Sequence, residues 1–104
     1  MSEAILETVF TEGESLLTVA PAGRLDTVTS ARLKEQMAAH PTRGRDLELD
    51  FTQVEYISSA GLRLLVALQK QVKAEGRSMV IRNINAVVRE VFRVSGFNKS
   101  FTVL

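Results

Sequence analysis

The chain has no cysteine, so disulfides and thiolate metal sites are closed to it, which fits a reducing compartment. Its single histidine, His40, cannot build an imidazole-rich metal site or a His pair. Charge of one sign is lacking as well. Thirteen Lys and Arg face twelve Asp and Glu, a formal net charge of +1. That balance gives no electrostatic case for nucleic acid as a direct partner. No apolar run approaches the ~20 residues of a membrane span. The opening "MSEAILETVF" carries Glu3 and Glu7 with no basic segment before an apolar one, so no signal peptide is expected. Internal repeats, low-complexity tracts and Pro/Gly-rich linkers are missing too. What remains is 104 residues, 45% hydrophobic and 24% charged, which can bury one core and leave little room for a second. The expectation is one cytoplasmic domain over 1–104, a monomer when free, with no metal and no cofactor.

Local patterns divide the chain into short elements. Residues 4–10 and 15–20 are apolar runs around "TEGE", the pattern of a hairpin. "PAGRLD" reads as a break before a helix over 27–39, with Asp26 as N-cap and Leu33 and Met37 starting a core stripe. "DLELDF" alternates Leu47, Leu49 and Phe51 against charges, the period of a strand. "TQVEYISSAG" reads as a loop into a helix over about 60–75, stopped by Gly76. "SMVIRN" is a continuous apolar strand. "NAVVREVFRVSG" is a helix capped by Asn85 and ended by Gly96, with Val88, Val91 and Phe92 inward, and "SFTVL" is a last strand or tail. This order predicts an α/β domain, a mixed sheet of four or five strands with right-handed crossovers and helices packed mainly on one side. Sites in such folds lie at the carboxyl ends of strands. "TQVEYISSAG" occupies such a place.

Within it, Ser58 and Ser59 stand together at the mouth of a helix. One hydroxyl is enough for a cap, worth roughly 1 kcal/mol. Ala60 and Gly61 follow, and Gly61 costs helix stability on the order of 1 kcal/mol against alanine. Small neighbours leave a hydroxyl approachable, and a phosphoryl group there would face free N–H groups and the positive helix end. Farther along, Leu64 and Leu68 widen the apolar arc of this helix beyond one stripe. Either the helix is deeply buried, or an edge comprising Leu64, Ala67, Leu68 and Gln71 meets a partner beside the serines. Arg63, Lys70 and Lys73 read as a solvated face.

The run "FTQVEYISSAGLRLLVALQKQVKAEGRSMVIRNINAVVREVFRVSGF" resembles the STAS domain of bacterial anti-sigma factor antagonists, and "GRLDTVTSARLKEQM" resembles that family's Gly-x-Leu-Asp segment and first helix. The resemblance spans residues 4 to about 101. It implies a STAS fold and a partner switch. The unphosphorylated protein captures an anti-sigma factor that is a serine kinase and so frees a sigma factor. The kinase phosphorylates a serine just before the first small residue of the helix, and a phosphatase removes the phosphate. Aligned on Gly61, that serine is Ser59, with Ser58 the alternative. Asp26 matches the aspartate after Gly-x-Leu, which supports phosphorylation in the family. Many antagonists have Asp where this chain has Ser58. A STAS-fold scaffold or accessory subunit of a signalling or lipid-transport assembly, never phosphorylated, is the competing expectation.

Catalysis has little to stand on. There is no Gly-x-x-x-x-Gly-Lys-Ser/Thr loop and no Cys–His nucleophile pair, and His40 lies at a helix end away from the serines. Asp50 resembles the phosphorylated aspartate of response-regulator receivers, but the acidic pair those domains place after their first strand is missing. The chain is expected not to be an enzyme.

Overall fold

A computed structural model of the protein describes residues 6–104; residues 4–5 of the first apolar run and the start of the segment read for a signal peptide lie outside it. The order is β1 (Glu7–Glu12), β2 (Leu16–Leu25), α1 (Thr27–Ala39), β3 (Asp46–Asp50), β4 (Gln53–Ile57), α2 (Ser59–Ala74), β5 (Met79–Arg82), α3 (Ala86–Ser95) and β6 (Thr102–Val103), with a 3-10 turn at Phe97–Lys99. The sheet is mixed. β1 pairs antiparallel with β2, and every other pairing is parallel, in the order β1-β2-β3-β5-β6. β4 joins the same edge of β2 as β3 does, farther along. The sheet therefore contains six strands but is five wide.

Two expectations fail around β2. "PAGRLD" is no break, because the strand runs through Pro21 to Leu25. Proline's missing N–H costs a ladder bond in a central strand. Here it falls where the partner of β2 changes, between Val19 opposite Leu49 and Ala22 opposite Gln53. The step at Phe51–Thr52 leaves little ladder to break. "TQVEYIS" is likewise no loop but β4. Its alternation is interrupted by a bulge: Val54 pairs Gly23 and Tyr56 pairs Arg24, leaving Glu55 unmatched.

The helix signals hold. Asp26 accepts from Val28 and Thr29 N–H, both at 3.0 Å, and Asn85 Oδ1 accepts from Val88 N–H at 2.7 Å. Gly76, at φ 73°, follows α2, with Gly76 N–H bonded to Lys73 O and Arg77 N–H to Val72 O. This is the two-bond C-terminal motif that a left-handed residue permits.

Burial alternates along the strands. Leu17, Val19, Leu47, Leu49, Met79 and Ile81 are buried and meet Leu33 and Met37 of α1 and Leu62, Leu65, Leu68 and Val72 of α2 in one cluster. Val88 and Phe92 of α3 join it, with the Phe92 and Phe101 ring centroids 5.6 Å apart. The other sheet face carries Thr18, Glu48, Val80 and Arg82, partly or fully exposed, so the helices lie mainly on one side. Among the described residues no helix is long and apolar enough to cross a membrane.

The two ends of the parallel strands differ. At the amino end, buried Arg45 donates to the carbonyls of Thr42, Gly13 and Pro41 and pairs with Glu12 at 3.1 Å. Thr42 in turn donates to Glu75, which also accepts from Gly44 N–H at 2.8 Å. His40, at the end of α1, meets Glu12 at 2.9 Å and stacks on Phe10. Every polar group named there has a partner within the chain. Those contacts tie the loops at that pole together.

Candidate functional site at the carboxyl ends of β2 and β4

Ser58 N–H donates to Leu25 O at 2.8 Å, so the residues that cap α1 and α2 leave the sheet side by side. Asp26 sits on one side of this bond and Ser58 on the other. Behind them, the amide of Asn85 donates to Val54 O and Glu55 O, satisfying carbonyls at the bulge. The bulge also bends the strand locally, as such insertions do, and the Arg24 guanidinium lies 4.5 Å from the centre of the Tyr56 ring.

The adjacent serines separate cleanly. Ser58 is extended, at φ −94° and ψ 177°, and half-buried; its Oγ accepts from Gly61 N–H at 3.4 Å, a long cap bond. Ser59 is the first helical residue and is exposed. The inner hydroxyl caps the helix, and the outer one is free of that task. Its surroundings suit an anion, because the first N–H groups of α2 have no intrahelical acceptor and the helix start carries partial positive charge.

Gly61 has a different reason from openness. It is buried, and a Cβ at this position would lie 2.5 Å from Ile57 Cγ1 and 3.1 Å from Leu25 O. The glycine lets α2 start hard against the ends of β2 and β4. Ala60 is half-buried beside it.

Asp26 is committed to its own helix. Its carboxyl is held below the usual aspartate range chiefly by Thr29 N–H, with help from the Thr29 hydroxyl, Val28 N–H and nearby Arg24, against the opposing effect of burial. Thr29, not singled out in the sequence, completes a reciprocal cap: its hydroxyl accepts from Asp26 N–H at 2.9 Å and donates to Arg24 O. The Asp-x-x-Thr spacing was a readable signal for it. Asp50 ends β3, where Thr52 and the Asn83 amide hydrogen-bond to its carboxylate and Thr52 is the main cause of its lowered pKa. These bonds hold the step between β3 and β4.

Along α2, Leu64 is half-buried and Ala67 exposed, but Leu68 is only 5% exposed and belongs chiefly to the core. The wide apolar arc is thus mostly accounted for by burial. What it leaves is a groove between α1 and α2, shared by Lys34, Leu64 and Ala67 along its length.

Comparisons with known proteins place the chain in a family. The family model described as "Mlab, STAS domain" matches residues 9–104. BtrV of Bordetella bronchiseptica, which carries the name of an anti-sigma factor antagonist, is 33% identical over 91 residues, covering 86% of this chain and 78% of that protein. The anti-sigma-B factor antagonist of Bacillus subtilis is 28% identical over 85 residues, covering 82% and 78%. The crystal structure of an anti-sigma factor antagonist from Mycobacterium paratuberculosis superposes with a TM-score of 0.78 at 25% identity, covering 95% of this chain and 85% of that one. The chain belongs to the STAS-domain family of anti-sigma factor antagonists.

Proposed function

We propose that this domain is a phosphorylation-controlled partner switch. Unphosphorylated, it binds an anti-sigma factor that is a serine kinase, and the sigma factor held by that kinase is released. Phosphate on Ser59 ends the binding, and a phosphoserine phosphatase restores it. The domain itself performs no catalysis and takes no cofactor, and the reaction belongs to its partners in the cytoplasm. The observation that carries this reading is the division between the serines: Ser58 Oγ is occupied as a cap and Ser59 is exposed one residue on, at a helix start. Asp26 is a neighbour of the serines through the Leu25–Ser58 backbone bond, which supports a role for it in orienting the acceptor or the incoming nucleotide's metal beside its capping of α1. Leu64 and Ala60 are the apolar contacts, with Gly61 and most of Leu68 beneath the surface.

The test is incubation with the anti-sigma factor kinase and ATP, followed by intact-mass measurement and fragmentation. One phosphate on Ser59, lost in Ser59→Ala, is expected. Phosphate on Ser58 reverses the assignment. No phosphate, together with retained partner binding, favours a constitutive STAS-fold scaffold or accessory subunit instead, a reading to which the match with the Mlab, STAS domain model is equally agreeable.

A further inference from the structure

Beside Ser59 the groove between α1 and α2 has a volume of ≈ 260 Å³, with Ala60 and Leu64 on its lining and Lys34 and Arg63 contributed from opposite helices. It continues between the same helices into a second depression of ≈ 240 Å³. Lys34 and Arg63 are both exposed, and among the described residues neither forms an ion pair. No acidic residue lines the groove. Asp26, at the start of α1, is engaged with its own helix N–H groups. Glu35, next to Lys34 in the chain, forms no ion pair among the described residues. Beneath the groove, Ser30 Oγ is the one buried side-chain oxygen without a hydrogen-bond partner among the described residues. An apolar lining with two uncommitted cations and an unsatisfied hydroxyl complements an acidic, partly aliphatic segment and repels a basic one.

We propose that this groove seats an acidic side chain of the anti-sigma factor, its carboxylate between Lys34 and Arg63, and that phosphate on Ser59 competes for Arg63. The proposal rests on the partner-switch reading above. Ser59 and Arg63 are four residues apart on α2, so they are neighbours on its surface, with the acid of the modified state on the favourable amino-terminal side. A phosphoserine carries about −1.5 to −2 charges, and a guanidinium can bind it through two parallel hydrogen bonds. Arg63 cannot hold the phosphate and the partner's carboxylate in full together. Modification then acts twice, placing negative charge at the lip of the groove and withdrawing one of its cations.

The experiment titrates the anti-sigma factor against unphosphorylated wild type, Lys34→Gln, Arg63→Gln and a control, Lys73→Gln, in the last turn of α2. Melting curves confirm that all are folded. Each groove variant is expected to weaken binding about tenfold with a smaller salt dependence, and the control to leave it unchanged. On the phosphorylated protein, a phosphorus NMR titration should show a higher second phosphate pKa in Arg63→Gln than in wild type. Wild-type binding with undiminished affinity in both groove variants overturns the groove while leaving the switch intact. An unchanged phosphate titration overturns the competition. Failure of wild type to bind any anti-sigma factor refutes the switch itself and the groove with it. Self-association of wild type that Arg63→Gln abolishes would reassign the groove to a second copy of the chain and also overturn the proposal.

Discussion

Replacing the adjacent serines one at a time should split stability from modification. In Ser58→Ala the only side-chain cap of α2 is lost, and such losses cost about 0.5–2 kcal/mol. The bond to Gly61 N–H is long at 3.4 Å, and the cap is half exposed to water that can replace it. The low end therefore applies, about 0.5–1 kcal/mol. For a domain of this size each kcal/mol moves Tm by about 4–8 °C, so Ser58→Ala should melt about 2–8 °C below wild type. Ser59→Ala removes an exposed hydroxyl from the first turn and installs the better helix former, a gain of at most about 0.5 kcal/mol. Its Tm should stay level or rise by up to about 4 °C. Thermal melts followed by circular dichroism read this half of the split. Phosphorylation by the kinase, read by intact mass, gives the other: Ser58→Ala still accepts phosphate and Ser59→Ala does not. A Ser59→Ala protein that melts below Ser58→Ala would falsify the division of labour, whatever the mass spectrum showed.

Gly61→Ala sets a helix-propensity gain of about 1 kcal/mol against a Cβ only 2.5 Å from Ile57 Cγ1, where overpacking costs about 1–3 kcal/mol. A lower Tm by chemical or thermal unfolding is expected, and a rise of several degrees would mean that the helix start has room to spare. Asp26 has a pKa lowered in the folded state, so its contribution is full above the unfolded pKa of about 3.9 and is lost as pH falls through the folded value. Asn caps nearly as well but does not titrate, so Asp26→Asn should lack this loss. The Tm of wild type minus that of Asp26→Asn should fall between pH 6 and pH 3; a constant difference contradicts the cap's electrostatics. Ser59→Asp should bind the anti-sigma factor far more weakly at an unchanged Tm. Blocking an interface by about a thousandfold takes roughly 4 kcal/mol, whereas a charge at a helix start alters the fold by only ~0.3–1 kcal/mol. Calorimetric binding equal to wild type would count against interface blocking.

What could be read from the sequence follows the range of the interaction that enforces it. The limits of α1 and α3, their caps Asp26 and Asn85, and the stops at Gly76 and Gly96 rest on contacts within a few residues, and those signals are printed in order along the chain. The continuation of β2 through Pro21 and the existence of β4 do not show in the sequence because their reason is not local. A proline is tolerated where a second strand takes over from a first, and the alternation of β4 is disturbed by Glu55, whose bulge exists only relative to Gly23 and Arg24. The Arg45–Thr42–Glu75 cluster also joins segments more than thirty residues apart and has no motif. The site divides in the same manner. Two serines before a small pair mark the place, but nothing in "ISSAG" says which hydroxyl turns inward. The backbone bond from Ser58 to Leu25 decides it, because it holds Ser58 extended at the sheet end and makes Ser59 the first residue to turn outward with the helix. Gly61 lets that bond and the helix coexist, because a Cβ there would come within 3.1 Å of the same Leu25 carbonyl. The small residue beside the exposed serine is therefore a condition of its exposure, set by packing beneath the surface and only indirectly by the partner above it.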